Sequence, residues 1–143
     1  MKTKLSFSLI AMLVMALSLS ACGGQPASAQ GYGTEELVAE LRENGVEAEK
    51  GDSVEQAFFS VIGSYVNFGG ESVQVFEYDS AQTMESDAVL VDAAGSSIGT
   101  TMVTWVATPH FYKKGRILVL YVGDSPETLQ VLEGVLGPQF AGG

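Results

Sequence analysis

Residues 95–99 read Gly-Ser-Ser-Ile-Gly and fit G-x-S-x-G, the pattern in which a serine on a sharp turn serves as a hydrolase nucleophile. His110 and Asp124 follow, so the residue types of a Ser-His-Asp triad centred on Ser97 are present. That pattern requires a strand before the serine and a helix after it. Here the sequence predicts a helix before and a strand after, so we interpret the segment as a connecting loop. Hydrolysis by Ser97 and His110 is an alternative hypothesis.

His110 is the only histidine in the chain, and a histidine can act as a general base or a metal ligand. Zinc sites combine several His, Cys or carboxylate ligands, and no such group accompanies His110 at ligand spacing. We therefore predict no metal and no cofactor, and we interpret His110 as a partly buried strand residue. Pro109 lacks a backbone N–H donor, which predicts that this strand lies at a sheet edge or carries a bulge.

Lys113, Lys114 and Arg116 are three of the seven basic residues of the chain, and they surround Gly115 in a predicted hairpin turn. In an otherwise acidic protein, such a turn is a candidate contact point for an envelope protein, an acidic ligand or a phosphate headgroup. The alternative interpretation is a solvated tip whose charges protect the hairpin from aggregation.

Aromatic side chains recur in the segments that are rich in β-branched residues. Such residues usually build the core. One set of alternating strand positions could also line a groove for an apolar ligand, so a carrier of a small apolar ligand is a further hypothesis. The residues concerned are Phe58, Phe59, Phe76, Trp105, Phe111, Tyr112 and Tyr121.

The elements that position these residues follow from hydrophobic periodicity and from turn residues. Three helices are predicted, beginning at Thr34, at Asp79-Ser80 and at Ser125-Pro126. Strands are predicted from their content of β-branched and aromatic residues. They cover residues 57–67, 72–78, 102–112 and 117–122, and residues 95–101 form a loop.

The second and third predicted helices follow similar apolar stretches, with Asp79-Ser80 aligned on Asp124-Ser125. We therefore predict an α+β domain of two ββα units, preceded by an N-terminal helix. The units would form a four- to five-stranded, mostly antiparallel sheet with helices packed on it. Residues 117–122 are apolar at both alternating positions, which predicts a central strand with both faces covered, or with one face open as an apolar groove.

The first 22 residues have the pattern of a signal peptide. Lys2 and Lys4 precede residues 5–21, which are apolar or small and carry no charge, and the stretch ends in Leu-Ser-Ala-Cys at Cys22. This ending resembles the lipobox of bacterial lipoproteins. The resemblance implies cleavage between Ala21 and Cys22 and lipidation of Cys22. It divides the chain into a signal peptide (1–21), a lipidated cysteine with a flexible linker (22–33) and a single domain (34–141).

Such an anchor would hold the protein on the extracytoplasmic side of a membrane, since each buried methylene contributes ~0.8 kcal/mol. By the same resemblance, Gly23 after the cysteine implies sorting to the outer membrane where the envelope has two membranes. The linker, residues 23–33, would have a root-mean-square span of about 18 Å.

The chain after Cys22 is strongly acidic. Seven basic residues less Lys2 and Lys4 leave five, against seventeen acids, so its net charge is 5 − 17 = −12. This charge disfavours nucleic acid and anionic lipid as partners and favours a monomer. Cys22 is the only cysteine, so the predicted domain contains no disulfide and no thiolate metal site.

Three further phrases, "GSSIGTTMVTW", "PHFYKKGRILVLYVGD" and "VLGPQF", resemble a family of small bacterial lipoproteins, and the likeness spans most of residues 45–141. The resemblance implies an envelope protein and brings no particular activity with it. Our leading hypothesis is therefore a membrane-anchored binding or scaffolding module without catalysis, with the hydrolase and the carrier as alternatives.

Overall fold

The computed structural model describes residues 31–143 of the chain. The predicted signal peptide, the cleavage site at Ala21 and Cys22 and most of the linker lie outside the described residues. The described part is an α+β fold, which confirms the predicted class. Its helices are α1 (Thr34–Glu43), α2 (Ala81–Ala88) and α3 (Pro126–Leu136), and its strands are β1 (Ala48–Val54), β2 (Gly63–Phe68), β3 (Glu71–Glu77), β4 (Ser97–Ile98), β5 (Thr101–Met102), β6 (Pro109–Lys114), β7 (Ile117–Val122) and β8 (Ala141–Gly142).

Six strands form one sheet in the order β1-β2-β3-β7-β6-β8, and β4 and β5 form a separate hairpin. Every neighbouring pair is antiparallel, as predicted, but the predicted count of four to five strands is too low. β7 lies between β3 and β6, and residues 117–121 are all buried. The prediction of a central strand with both faces covered is therefore confirmed.

The chain does not divide into two equal ββα units. Three strands precede α2, because the polar segment Ala48–Val54 forms β1 at the edge of the sheet. Only the two terminal residues of β1 are buried, and its pairing shifts between Lys50 and Ser53, so the segment lacks the alternating apolar pattern of a recognisable strand. The second half also contains the β4–β5 hairpin, which starts within the predicted loop 95–101, and β8 after α3.

Two of the predicted strands begin too early. Residues 57–62 and 103–108 are rich in aromatic and β-branched residues, but β2 begins at Gly63 and β6 at Pro109. The first of these loops folds back over the sheet, where Phe59 is buried with its ring centroid 4.7 Å from that of Phe76. Aromatic content therefore marks loops that contribute to the core as well as strands.

Helices pack on both faces of the sheet. On one face, Leu37 of α1 and Leu132 of α3 belong to the same buried cluster as Val119 of β7. On the other face, Met84 of α2 is in a second cluster with Leu120, together with side chains from the loops. Because β7 contributes to both clusters, this strand joins the two halves of the core.

The helix starts follow from capping side chains. Ser80 and Ser125 accept hydrogen bonds from the backbone N–H three residues later, at 3.1 and 3.3 Å, which confirms the predicted starts of α2 and α3. Helix α1 begins at Thr34, but its N-cap residue is Gly33, so Thr34 does not itself cap the helix. The Glu36 carboxylate accepts the Gly33 N–H at 2.8 Å, and Thr34 is left free to bind elsewhere.

β6 is not an edge strand, although Pro109 predicts an edge or a bulge. β8 pairs with His110 and Phe111 and extends the sheet beyond β6. Gly142 has a φ of 85°, and a Cβ atom there would lie 2.0 Å from the Pro109 carbonyl oxygen, so only glycine allows this approach. β8 thereby covers backbone groups of β6 that would otherwise be open to another chain.

Candidate functional site

The turn between β6 and β7 lies against the start of the described chain. The Arg116 N–H donates to the Tyr32 carbonyl at 3.0 Å, and the Arg116 carbonyl accepts the Tyr78 N–H at 2.9 Å. Side chains on both sides reinforce this junction. We call the set Tyr32, Thr34, Glu40, Glu77, Lys114 and Arg116 the N-terminal clamp.

One half of the N-terminal clamp is centred on Glu40 of α1. The Lys114 ammonium donates to Glu40 Oε2 at 2.8 Å and to the Val135 carbonyl of α3 at 2.6 Å. The Tyr32 hydroxyl donates to the same Glu40 oxygen at 2.5 Å, and the Lys114 nitrogen lies 4.2 Å from the centre of the Tyr32 ring. A single lysine therefore contacts α1, α3 and Tyr32, which lies at the end of the predicted linker.

The other half is centred on Glu77 at the end of β3. Glu77 Oε2 accepts the Thr34 N–H at 3.0 Å and the Thr34 hydroxyl at 2.5 Å, and Thr34 is almost fully buried. Glu77 Oε1 forms an ion pair with Arg116, whose guanidinium also donates to the Tyr78 carbonyl at 3.2 Å. The first turn of α1 is thus tied to β3 and to the start of β7.

Lys113 points away from the N-terminal clamp. Its ammonium pairs with Glu85 of α2 at 2.5 Å and lies 5.0 Å from the centre of the Phe140 ring. Lys113, Lys114 and Arg116 therefore contact three different carboxylates on α2, α1 and β3. The turn is balanced by internal charge, so the contact point predicted there for an acidic partner or ligand would have to compete with these pairs and stays a prediction.

The carboxylates of the clamp are held in their charged form. Burial alone would raise the pKa of Glu77, but the hydrogen bonds from Thr34 and the Arg116 charge outweigh it and place the pKa below its usual value. For Glu40, burial is likewise outweighed by Lys114 and Tyr32, which lower the pKa. Burial, with Glu40 beside it, raises the pKa of Tyr32 well above its usual value, so this hydroxyl stays protonated and donates.

These directions predict a stability that depends on pH. A carboxyl group whose pKa is lower in the folded chain than in the unfolded chain stabilises the fold at pH values above its unfolded pKa, which is near 4.5 here. This contribution is lost as the pH falls through the pKa of the folded chain. We expect the free energy of unfolding, measured by urea titration, to fall as the pH is lowered below about 5. Substituting both Glu40→Gln and Glu77→Gln should flatten that dependence. If the free energy of unfolding of the double variant fell at low pH as steeply as that of the wild type, the assignment would be contradicted. Glu71→Gln on β3 is the control and should leave the pH dependence unchanged.

The structure does not assemble a Ser-His-Asp triad. The Ser97 N–H donates to Asp92 Oδ1 at 2.8 Å, within the loop that carries β4. His110 Nδ1 is 2.7 Å from Gln139 Oε1, and its ring stacks on Tyr121 with centroids 6.0 Å apart. No hydrogen bond joins Ser97, His110 and Asp124 among residues 31–143. His110 is a buried strand residue, as interpreted from the sequence, and its Nε2 is a buried atom without a hydrogen-bond partner.

The predicted apolar groove over the sheet is filled. Phe111 is fully buried, and the Trp105 ring packs on it at 6.0 Å and on Phe58 at 6.1 Å. The Trp105 indole N–H donates to the Gly95 carbonyl at 2.6 Å, which fixes the covering loop. A broad open concavity of about 1300 Å³ lies near the α1–β1 and β2–β3 turns and includes Arg42 and several acids in its lining, so it does not resemble an apolar carrier site.

A buried carboxylate was not identified from the sequence. Asp87 on α2 accepts hydrogen bonds at one oxygen from the Ser60 N–H (2.7 Å), the Ser60 hydroxyl (2.8 Å) and the Tyr78 hydroxyl (2.9 Å). Burial and the Asp87 carboxylate raise the pKa of Tyr78 above its usual value, so the phenol remains a donor. The available signal was the position of Asp87 on α2 between the apolar residues Met84 and Ala88, which are also buried.

Among residues 31–143, no group of three or more His, Cys, Asp and Glu side chains is arranged to hold a metal ion. No helix in the same range is long and apolar enough to cross a membrane. Comparison with protein-family models, with curated proteins and with solved structures finds no significant match to this chain. The function must therefore be inferred from the residues and the geometry themselves.

Proposed function

We propose that this protein is a membrane-anchored lipoprotein of the bacterial cell envelope, whose α+β body acts as a non-catalytic binding or scaffolding module. The signal-like residues 1–21 and the lipobox-like ending at Cys22 support the anchor. The N-terminal clamp is the observation that carries the proposal, because it fixes the end of the predicted linker at Tyr32 and the first turn of α1 to the body.

A tethered module needs a defined attachment point, and the clamp has the properties of one. It joins the first described residues to two central strands, and the ion pairs of both halves involve partly buried side chains. Motion of the body relative to the membrane would then come from the linker and not from fraying of α1. Such an arrangement suits a rigid body that moves near a bilayer on a flexible tether.

The proposed place of the protein is the extracytoplasmic face of the membrane, or the outer membrane in an envelope with two. The net charge of −12 after Cys22 supports a monomeric body that does not bind nucleic acid. A contact at Lys113, Lys114 and Arg116 with an envelope protein or an acidic ligand belongs to this proposal. Charge reversal at the three positions should release that partner in a crosslinking pull-down, and retention of every partner would exclude the turn as the contact.

Cys22→Ser tests the anchor. In cells fed radiolabelled palmitate, the wild-type protein should carry label and sediment with membranes, and the variant should carry none, because serine cannot form the thioether. Ser18→Ala, upstream of the lipobox-like residues, is the control and should be labelled as the wild type is. Label on the Cys22→Ser variant, or an unlabelled wild type, would contradict the proposal.

The hydrolase alternative has a direct test. Turnover of an ester or peptide substrate by the purified protein, lost in both Ser97→Ala and His110→Ala, would replace the non-catalytic proposal. The geometry favours the opposite result, because His110 Nδ1 is engaged by Gln139 and the serine backbone binds Asp92. For the carrier alternative, lipid that co-purifies with the protein and is displaced by substitution at Trp105 would be the supporting result.

A further inference from the structure

Four of the five large apolar side chains that are strongly exposed in residues 31–143 belong to one stretch of the chain. Val106 is 98% exposed, Met102 88%, Val89 68% and Leu90 45%, and the fifth, Ile62, lies elsewhere in the sequence. We call Val89, Leu90, Met102 and Val106 the apolar rim. Single exposed apolar residues are ordinary, whereas four of them within eighteen residues of the chain make this segment a candidate for a surface that meets an apolar phase.

The apolar rim is built on fixed backbone. The β4–β5 hairpin pairs Ser97 with Met102, and the Gly99 N–H donates to the Leu90 carbonyl at 2.8 Å. The Val103 N–H donates to Ser96 at 3.0 Å, and Trp105 is held by its bond to Gly95. The backbone around the rim is therefore ordered before any partner arrives, which lowers the entropic cost of docking.

The rim also lacks charge in a protein that is otherwise strongly acidic. Asp92 is the only charged residue between Val89 and Thr108, although the chain contains seventeen acids. The Asp92 carboxylate accepts hydrogen bonds from the Ser97 N–H at 2.8 Å and the Ser96 hydroxyl at 3.1 Å, so it is engaged by its own loop. The segment that carries the rim therefore adds little to the repulsion that the acidic body would meet at anionic headgroups.

We propose that the apolar rim inserts into the interfacial region of a lipid bilayer, as a second and non-covalent contact beside the anchor. The inference rests on the proposed function, because the predicted linker span of about 18 Å keeps the body within reach of the membrane. The most exposed side chains, Met102 and Val106, protrude from a hairpin and a loop, a shape that suits a soft apolar phase. A second copy is disfavoured, since it would bring together two bodies of charge −12.

Trp105 is the only tryptophan of the chain and lies beside Val106, so its fluorescence reports directly on the rim. The protein as cells make it is reconstituted into phosphatidylcholine vesicles with either ordinary or brominated acyl chains. Brominated chains should quench Trp105 in the wild type. The double substitution Met102→Ser and Val106→Ser should reduce this quenching at least about fivefold, because two apolar contacts with the hydrocarbon are lost.

Ile62→Ser is the matched control, since Ile62 is 67% exposed outside the rim, and it should be quenched as the wild type is. Absence of quenching in the wild type, or equal quenching in the double variant, would overturn the inference. If the wild type dimerised without being quenched, and the double variant did not dimerise, the inference would also be overturned. The rim would then be assigned to a contact with a second copy. Mass spectrometry of the same samples shows whether Cys22 is lipidated. A failure of the proposed anchor is therefore distinguished from a failure of rim insertion.

Discussion

Replacing Asp87 with alanine is expected to lower the free energy of unfolding by roughly 3 kcal/mol, among the largest effects of any single polar substitution in this fold. The change removes three hydrogen bonds and leaves the hydroxyl of Tyr78 without a partner in a buried position. It also releases the loop at Ser60, which holds Phe59 against the sheet. Urea unfolding at neutral pH measures the loss, and the melting temperature should fall by about 10–15 °C.

Two comparisons make the Asp87 result specific. Asp52→Ala removes an exposed carboxylate from edge strand β1 and should change stability by less than about 0.5 kcal/mol. Asp87→Asn keeps an acceptor oxygen and should be less damaging than alanine. If Asp87→Ala were no more harmful than Asp52→Ala, the buried network would contribute nothing measurable, and the loop would be held by Phe59 alone.

Replacing Glu77 with alanine is expected to lower the free energy of unfolding by about 2 kcal/mol and to loosen the start of α1 selectively. Both Thr34 donors lose their acceptor in a buried position, and Arg116 loses its ion pair. Hydrogen exchange should therefore accelerate at residues 32–37 far more than in β7. Limited proteolysis should likewise cut sooner near Gly33.

The control for Glu77 lies on the same strand. Glu71→Ala removes the same side chain from the other end of β3, where no hydrogen bond or ion pair engages it, and should leave hydrogen exchange at residues 32–37 unchanged. Equal acceleration in both variants would mean that the N-terminal clamp does not depend on Glu77. Gln at position 77 retains an acceptor for Thr34, so it should protect α1 better than alanine does.

Local chemistry explains which parts of the fold could be predicted. The uniform apolar character of residues 117–122 indicates burial on both faces whatever the neighbours are, and β7 is indeed central. Ser80 and Ser125 begin helices because their caps are completed within three residues. The class of fold follows from such local signals.

Interactions between distant residues could not be predicted in the same way. Glu40 and Lys114 are separated by 74 positions, and Thr34 and Glu77 by 43, so their pairing depends on how α1 packs against β3 and β6. The sequence identifies the cluster of three cations, but only the folded sheet reveals that each one has a carboxylate beside it. β1 was not predicted for a related reason. An edge strand needs few apolar residues, because its backbone hydrogen bonds to the inner neighbour β2 hold it in the sheet.

The position of the N-terminal clamp also decides how the body responds to mechanical force. The clamp joins the chain to the end of β3 and to the turn between β6 and β7, and each of these strands has a neighbour on both sides, whereas β1 at the edge could be peeled away one bond at a time. With the tether proposed at Cys22, traction between a membrane and a bound partner would enter the sheet at β3 and at the turn between β6 and β7. Because these strands pass the force on to their neighbours on both sides, we expect the domain to withstand a force applied at the N-terminal clamp better than a force applied at edge strand β1.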